Sequence, residues 1–310
     1  MAKPEIDTHD FSATPTASKS FTIPNNTWMI DIVGRGIGIS SSSTIDLRLG
    51  GISTTTYQRH YQTKSGDDAD ILNRMSVSEV VGTSGFGFGL RIYAPGLVAP
   101  TPFVGEACTI GAAQVQVNAG VQSDATAHTT FSVFSIGGGT LNAGDVWVTY
   151  HKRKHDIVET VDFGAAAASS HDFTGINNRS SLVFCSADLG SASSGVPQLS
   201  VSTDGVSFDQ GATDYKHNRM NIAVNSSGDA GFLHSVNFTS TSNAFLSVVE
   251  NSRVSAPTSL IWGASIPNAD TGPQHHCAYR NSTDKHTAYR VEHSGAANFN
   301  SGTLYLLGAK

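Results

Sequence analysis

The chain has 310 residues and a formal net charge of −6; charged residues make up 14% of it and hydrophobic residues 39%. A charged fraction well below the roughly 25% of ordinary soluble domains, made up by Ser, Thr, Asn and 31 Gly, suits strand faces and turns better than helices. The balance excludes a nucleic-acid footprint, which needs a basic stripe to displace counterions from phosphate, and no apolar run approaches the ~18 residues that span a bilayer.

This length predicts two domains of about 150 residues, each able to bury a core without metals or disulfides. The opening MAKPEIDTHD has no apolar stretch of the secretory type, so folding in a cytoplasm is expected. Cys108, Cys185 and Cys277, an odd number at long spacing, argue against a disulfide framework and against a four-cysteine zinc site.

Residues 6–49 read as short strands, with GISSSST at 38–44 as a turn. Asp67, Asp68 and Asp70 behind Gly66 read as an exposed loop first and an ion site second, and residues 70–81 (DILNRMSVSEVV) as a helical start that no 3.6-residue period sustains. Phe86, Phe88, Leu90 and Ile92 alternate with Gly and Arg. GFGFG at 85–89 superficially resembles a phosphate loop, but its alternation, with no following helix, makes it a strand with bulge-prone glycines. Ala113, Val115, Val117 and Ala119 alternate with Gln and Asn; Val146, Val148 and Tyr150 alternate with Trp147 and Thr149. Strict alternation marks strands with one face in a core and one in water. At least one of Trp28 and Trp147 is expected in a core. The basic run His151–His155 reads as a solvated linker between domains.

Beyond it the chain repeats itself. Residues 6–49 align without a gap to residues 158–201 at an offset of 152, with Phe11 on Phe163, Phe21 on Phe173 and Leu47 on Leu199. LNAGDVWVTYHK (141–152) matches FNSGTLYLLGAK (299–310) at an offset of 158, which puts six net insertions in the middle of the second copy. The reading is an all-β chain of two tandem, duplicated jelly-roll-like β-sandwich domains, 1–152 and 158–310, separated at 152–157.

The second copy contains DFTGINNRSSLVF (172–184), LSVSTDGVSFDQGATDY (199–215) and NFNSGTLYLLGAK (298–310). These resemble a phage-encoded domain of tail fibres, head fibres and related appendage proteins of tailed phages and gene transfer agents. In that family a D-F-T-G turn leads to a strand ending in S-T-D-G-G, and the closing strand reads S-G-x-φ-x-L-Y-G. The first copy departs from it: LRLGGISTTTYQ (47–58) lacks the Asp and Phe of the S-T-D-G segment. The resemblance implies a virion appendage, released by lysis, with other virion proteins as partners and a homo-oligomeric state such as a trimer or pentamer. Its expected role is adsorption to host surface polysaccharide; the alternative is a capsid or tail decoration protein without receptor binding. The diverged first domain is expected to attach to the particle and the second to face outward.

Catalysis is not expected, since there is neither a G-x-S-x-G elbow nor a Walker-type loop. No cofactor or metal is expected either. Asp204, Asp209 and Asp214 are spaced five apart, unlike an EF-hand, and Asp204-Gly205 reads as a turn. His275, His276, His286 and His293 with Cys277 lack zinc-ligand spacing. Sugars are held by aromatic faces with fixed hydrogen-bonding groups, which makes Trp262, His275, His276, Tyr279 and Tyr289, in the part of copy two expected to hold the insertions, the candidate glycan contacts. For Trp262 a core position in SLIWG (259–263) is the competing reading.

Overall fold

The computed structural model describes residues 3–41, 43–63, 66–72, 74–76, 85–109, 114–176, 178–193, 195, 197–211, 214–220, 225–230, 234–235, 243–250, 261–267, 274–280, 284–294 and 297–310. Among them the regular elements are all β-strands, and no helix is long and apolar enough to cross a membrane. The chain divides into two compact units, residues 1–66 with 70–154 (unit 1) and residues 67–69 with 155–310 (unit 2).

The sheets of unit 1, which take in residues 67–69 through β6, are built from β1 (Glu5–Asp10), β2 (Ser18–Thr22), β3 (Thr27–Ile39), β4 (Thr44–Leu49), β5 (Tyr57–Thr63), β6 (Gly66–Leu72), β7 (Met75–Ser76), β8 (Phe86–Tyr93), β9 (Thr101–Thr109), β10 (Gln114–Gln122), β11 (Thr130–Ile136) and β12 (Leu141–Lys152). Its larger sheet runs β1-β12-β3-β8-β9-β10-β5-β6 and its smaller one β2-β11-β4-β7. Inward residues of both sheets, among them Ile30, Ile32, Phe88, Leu90, Val146 and Val148 from one and Phe21, Leu47 and Phe131 from the other, form one core. Phe21 and Phe131 stack there with ring centroids 5.0 Å apart.

Unit 2 is built from β13 (His155–Asp162), β14 (Ser170–Phe173), β15 (Ser181–Ser191), β16 (Pro197–Ser202), β17 (Tyr215–Met220), β18 (Asn225–Ala230), β19 (His234–Ser235), β20 (Asn243–Glu250), β21 (Ile261–Pro267), β22 (Gln274–Arg280), β23 (Ala288–His293), β24 (Phe299–Ser301) and β25 (Thr303–Ala309). Its sheets run β13-β25-β15-β20-β21-β22-β17-β18 and β14-β23-β16-β19, with β24 an added partner of β15. Position by position these are the paths of unit 1. The chain is therefore an all-β protein of two β-sandwiches that share one strand order.

The repeated residues are the ones that pin that path. The Phe11 amide donates to the Gly144 carbonyl at 2.9 Å, and the Phe163 amide to that of Gly302 at 3.0 Å. Gly144 (φ +79°) and Gly302 (φ +84°) occupy left-handed backbone, and a Cβ there would lie 2.4 Å from the Arg35 carbonyl oxygen or 2.3 Å from that of Asp188. One carboxylate oxygen of Asp10 accepts the amides of Ser12 and Ala13, and one of Asp162 those of Gly164 and Ala165. The same turn is cut twice.

Four expectations need correction. Residues 70–72 and 75–76 belong to strands β6 and β7, so no helix starts at 70; residues 77–81 lie outside the described residues. Asp67, Asp68 and Asp70 stand in β6, not in a loop. His151 and Lys152 end β12 and His155 begins β13, so only Arg153-Lys154 lies between the strands. His151 pairs with Asp31 and Lys152 with Glu5, so the run is not freely solvated.

The fourth concerns the six inserted residues. The Tyr57 hydroxyl accepts the Leu49 amide (2.9 Å) and the Tyr215 hydroxyl accepts the Val201 amide (3.0 Å), so the offset is already 158 at these tyrosines. Residues 50–56 number seven and residues 202–214 thirteen; the difference of six equals the net insertion. Ladder partners in β20, β21 and β22 keep offsets of 157 or 158 from β8, β9 and β10. The region around Trp262 is therefore not the elaborated one.

Candidate binding faces

The larger sheet of each unit has an outer face turned from its core. In unit 1 four neighbouring strands place Trp147 (β12), Val33 (β3), Gly89 (β8) and Glu106 (β9) in one row across the sheet. Trp147 is 48% exposed and Val33 50%, while Trp28, the other tryptophan at issue, is buried. Beside this row lies an open cleft of about 450 Å³ lined by Val33, Gly87, Gly89, Glu106 and Cys108. Nothing in the backbone demands glycine at its floor. A Cβ on Gly89 would meet only Glu106 Cγ at 3.9 Å, and one on Gly87 would come no closer than 3.6 Å to anything. A glycine in a strand interior weakens the strand and marks places where something approaches the backbone closely.

Ion pairs wall the row on both sides. Arg35 Nη2 lies 2.8 Å from Asp145 Oδ2. Asp31 takes Arg91 Nε on one oxygen and His151 Nε2 on the other, both at 2.7 Å. Exposed pairs of this kind add little stability, but they fix planar donors and acceptors beside the aromatic ring.

In unit 2 the same register positions are filled. Leu246 stands for Gly89, Ala244 for Gly87, Cys185 for Val33, Val183 for Asp31, Val248 for Arg91 and Leu307 for Thr149. All six are buried, and burial pushes the Cys185 thiol well above its ordinary pKa.

The residues singled out from sequence do not form one cluster. Tyr289 is fully buried: it pairs with Phe173 and Val201 in the smaller sheet, its ring centroid lies 5.4 Å from that of Phe184, and its hydroxyl shares a hydrogen bond with His286. It holds the core position that Phe131 holds in unit 1, so it makes no surface contact. Tyr279 is 38% exposed and has the strand parity of Cys277, which is also exposed. In backbone register Trp262 stands opposite Cys277 and Val248; His275 shares the parity of Cys277, and His276 that of buried Ala278. The side chains of Trp262, His275 and His276 lie outside the described ones.

The described part of the inserted segment, residues 202–211 and 214, is braced by its own turns and by neighbouring strands. Asp204 Oδ1 accepts the amides of Val206 and Ser207 and the Ser202 hydroxyl, which holds its carboxyl well below the usual carboxylate range. Asp209 pairs with Arg280, Asp214 accepts the Gly211 amide, and Phe208 lies under Arg290 at 4.1 Å. Each of the three aspartates thus has a local task. Among the described residues no group of three or more His, Cys, Asp or Glu side chains is arranged to hold a metal. His286 and His293 are buried, the latter 3.1 Å from the Ser191 hydroxyl.

Sequence reasoning missed Trp147, Val33, Gly87, Gly89 and Glu106 as a group. The signal was present in GFGFG beside VWVTY: glycines alternating on the outer parity of one strand and a tryptophan on that of another. Only register shows that they share a face.

No family profile matches the chain, nor does any curated protein sequence. Among solved structures it is similar to domains LG4-5 of the mouse laminin α1 chain, with 12% identity over 98% of this chain and 89% of that one and a TM-score of 0.25. It is also similar to the LG1-3 region of the laminin α2 chain (10% identity, 94% and 64% covered, TM-score 0.21) and to the structure of Sulfolobus turreted icosahedral virus (10%, 95% and 91%, 0.17). Likenesses at this level carry no argument, and the architecture rests on the chain's own ladders.

Proposed function

We propose that this protein is a non-catalytic structural subunit of a phage-like particle, a tail-fibre or head-fibre appendage whose task is adhesion to host surface polysaccharide. The observation that carries this reading is the pair of outer faces. One strand path is used twice, once with an apolar face closed over and once with an open face bearing an exposed tryptophan, a bare glycine floor and fixed polar groups. That division suits a scaffold module joined to a binding module. The resemblance of residues 172–184, 199–215 and 298–310 to appendage proteins supports the setting, and a homo-oligomer would add avidity to weak sites.

The test is binding of the purified full chain to a glycan array and to polysaccharide extracted from host surfaces. Saturable binding with no release of reducing ends supports an adhesion subunit. Absence of saturable binding to any carbohydrate returns the chain to a decoration role, and release of reducing ends would make it a depolymerase.

A further inference from the structure

We propose that the glycan site lies on unit 1, in the row Trp147–Val33–Gly89–Glu106, and that it takes an uncharged, linear polysaccharide laid across the strands. This rests on the adhesion reading above and reverses the polarity expected from sequence, in which unit 1 attached to the particle.

Neighbouring strands lie about 4.8 Å apart, so four of them carry the row over about 14 Å, a span of a few pyranose rings. Trp147 at one end offers an apolar ring face that packs on the C–H face of a sugar. The glycine floor lets the next ring settle against backbone, with Val33 beneath and Glu106 as an acceptor at the far end. On one flank stand Arg35 and Asp145, on the other Asp31, Arg91 and His151, each held by its partner at 2.7–2.8 Å and each with hydrogen-bonding capacity left for hydroxyls.

Charge selects the class of ligand. Both guanidiniums are already matched by carboxylates, and Glu106 adds a further negative charge. A uronic-acid or sialylated polymer would have to compete with Asp145 and Asp31 for these guanidiniums and would meet Glu106. A neutral chain pays no such penalty. The counterpart positions belong to a closed face: Leu246 and Ala244 stand there in place of Gly89 and Gly87, and both are buried.

The cleft carries its own reporter. Cys108 lines it and is exposed, Cys277 is exposed in unit 2, and Cys185 is buried. The experiment is alkylation of the full chain with N-ethylmaleimide, resolved by peptide mass, with and without fragments of neutral glucan, mannan and galactan, and with polygalacturonate as the anionic probe. A bound neutral fragment should slow modification of Cys108 at least about fivefold, as a group that excludes water around a bound patch does, and leave Cys277 unchanged. Trp147→Ala should weaken binding about 30-fold, the scale of losing an aromatic anchor. Gly89→Leu should abolish binding while leaving the thermal midpoint in place. Binding that persists in Gly89→Leu and leaves Cys108 as reactive as before overturns the site but not the adhesion reading, and so does protection of Cys277 alone. Protection by polygalacturonate rather than the neutral fragments overturns the ligand class. Failure of every carbohydrate to bind removes the adhesion reading itself.

Discussion

On the outer face of unit 1 stand Asp31, Val33, Gly89, Arg91 and Trp147; at the same register positions unit 2 carries Val183, Cys185, Leu246, Val248 and Tyr305. Inward of both, the residues agree in kind: Phe11 and Phe163, Phe21 and Phe173, Leu47 and Leu199 are all buried. Strand order, then, is held by the inner faces and by a few backbone devices, which leaves the outer faces free to differ: apolar and covered in one unit, polar and open in the other. What distinguishes the copies is the chemistry of a surface, not the path of the chain.

Exchanging residues between these faces tests the comparison most severely. Val183→Asp puts at a fully buried position the carboxylate that Asp31 carries in unit 1, but opposite Val248 and Leu307 in place of Arg91 and Thr149. An unmatched buried charge should cost about 4 kcal/mol, read by chemical denaturation. The reverse change, Asp31→Val, removes only half-exposed ion pairs and should cost less than about 1 kcal/mol. Equal costs would mean that the two faces are not environments of opposite kind.

The shared devices should fail alike. Gly144→Ala and Gly302→Ala each force a side chain into left-handed backbone and against a carbonyl oxygen at 2.4 or 2.3 Å. Strain and overpacking together put the cost at roughly 3 kcal/mol in either unit. A tolerated change in one unit alone would show that the two closing strands are entered differently.

The strand path was legible because it is written in apolar side chains at fixed spacing, and because the chain states it twice. Phe86, Phe88, Leu90 and Ile92 are buried as their alternation requires. Tyr289 was legible too: it alternates with Arg290 and shares the parity of Val291, the mark of an inward position. Strands β6 and β7 were not, since GDDADIL and MS are short and polar, with too few apolar residues to show a period of two. The cleft was hidden for another reason. Its residues come from three strands between positions 33 and 108, and its floor is defined by side chains that are missing. Neither property has a local pattern; ladder register alone assembles them.

A difference in pH response should separate the units next. Burial, with Arg280 adding to it, holds the buried His286 down to about 4 from its ordinary 6.5. The unfolded chain therefore binds the proton first, so this stabilisation is complete above pH 6.5 and is lost as pH falls from there towards 4. Its full size is roughly 3 kcal/mol. Burial also lowers His128, its counterpart in unit 1, although Asp124 works in the opposite direction. Hydrogen exchange should show β23 losing protection between pH 6.5 and 4 more steeply than β11. His286→Gln should flatten the β23 response; an unchanged slope would place its origin elsewhere. The carboxyl of Asp204, held low by backbone amides, contributes only at still lower pH.

The smallest effect bears on the six-residue insertion of unit 2. Both buried tyrosines accept an amide of the neighbouring strand, Tyr57 that of Leu49 and Tyr215 that of Val201. Only Tyr215 also donates to the insertion, with its hydroxyl 3.0 Å from the Asp209 carbonyl. Removing either hydroxyl leaves a buried amide unsatisfied, so both Tyr57→Phe and Tyr215→Phe should cost about 1–2 kcal/mol. The second should in addition loosen residues 202–214, where Arg280 and Arg290 would remain the braces, and make that loop more open to limited proteolysis. If Tyr57→Phe and Tyr215→Phe matched in both stability and proteolysis, the insertion would be held by its other contacts, the Asp209–Arg280 ion pair and the Arg290–Phe208 contact among them, and the tyrosine would serve unit 2 only as it serves unit 1.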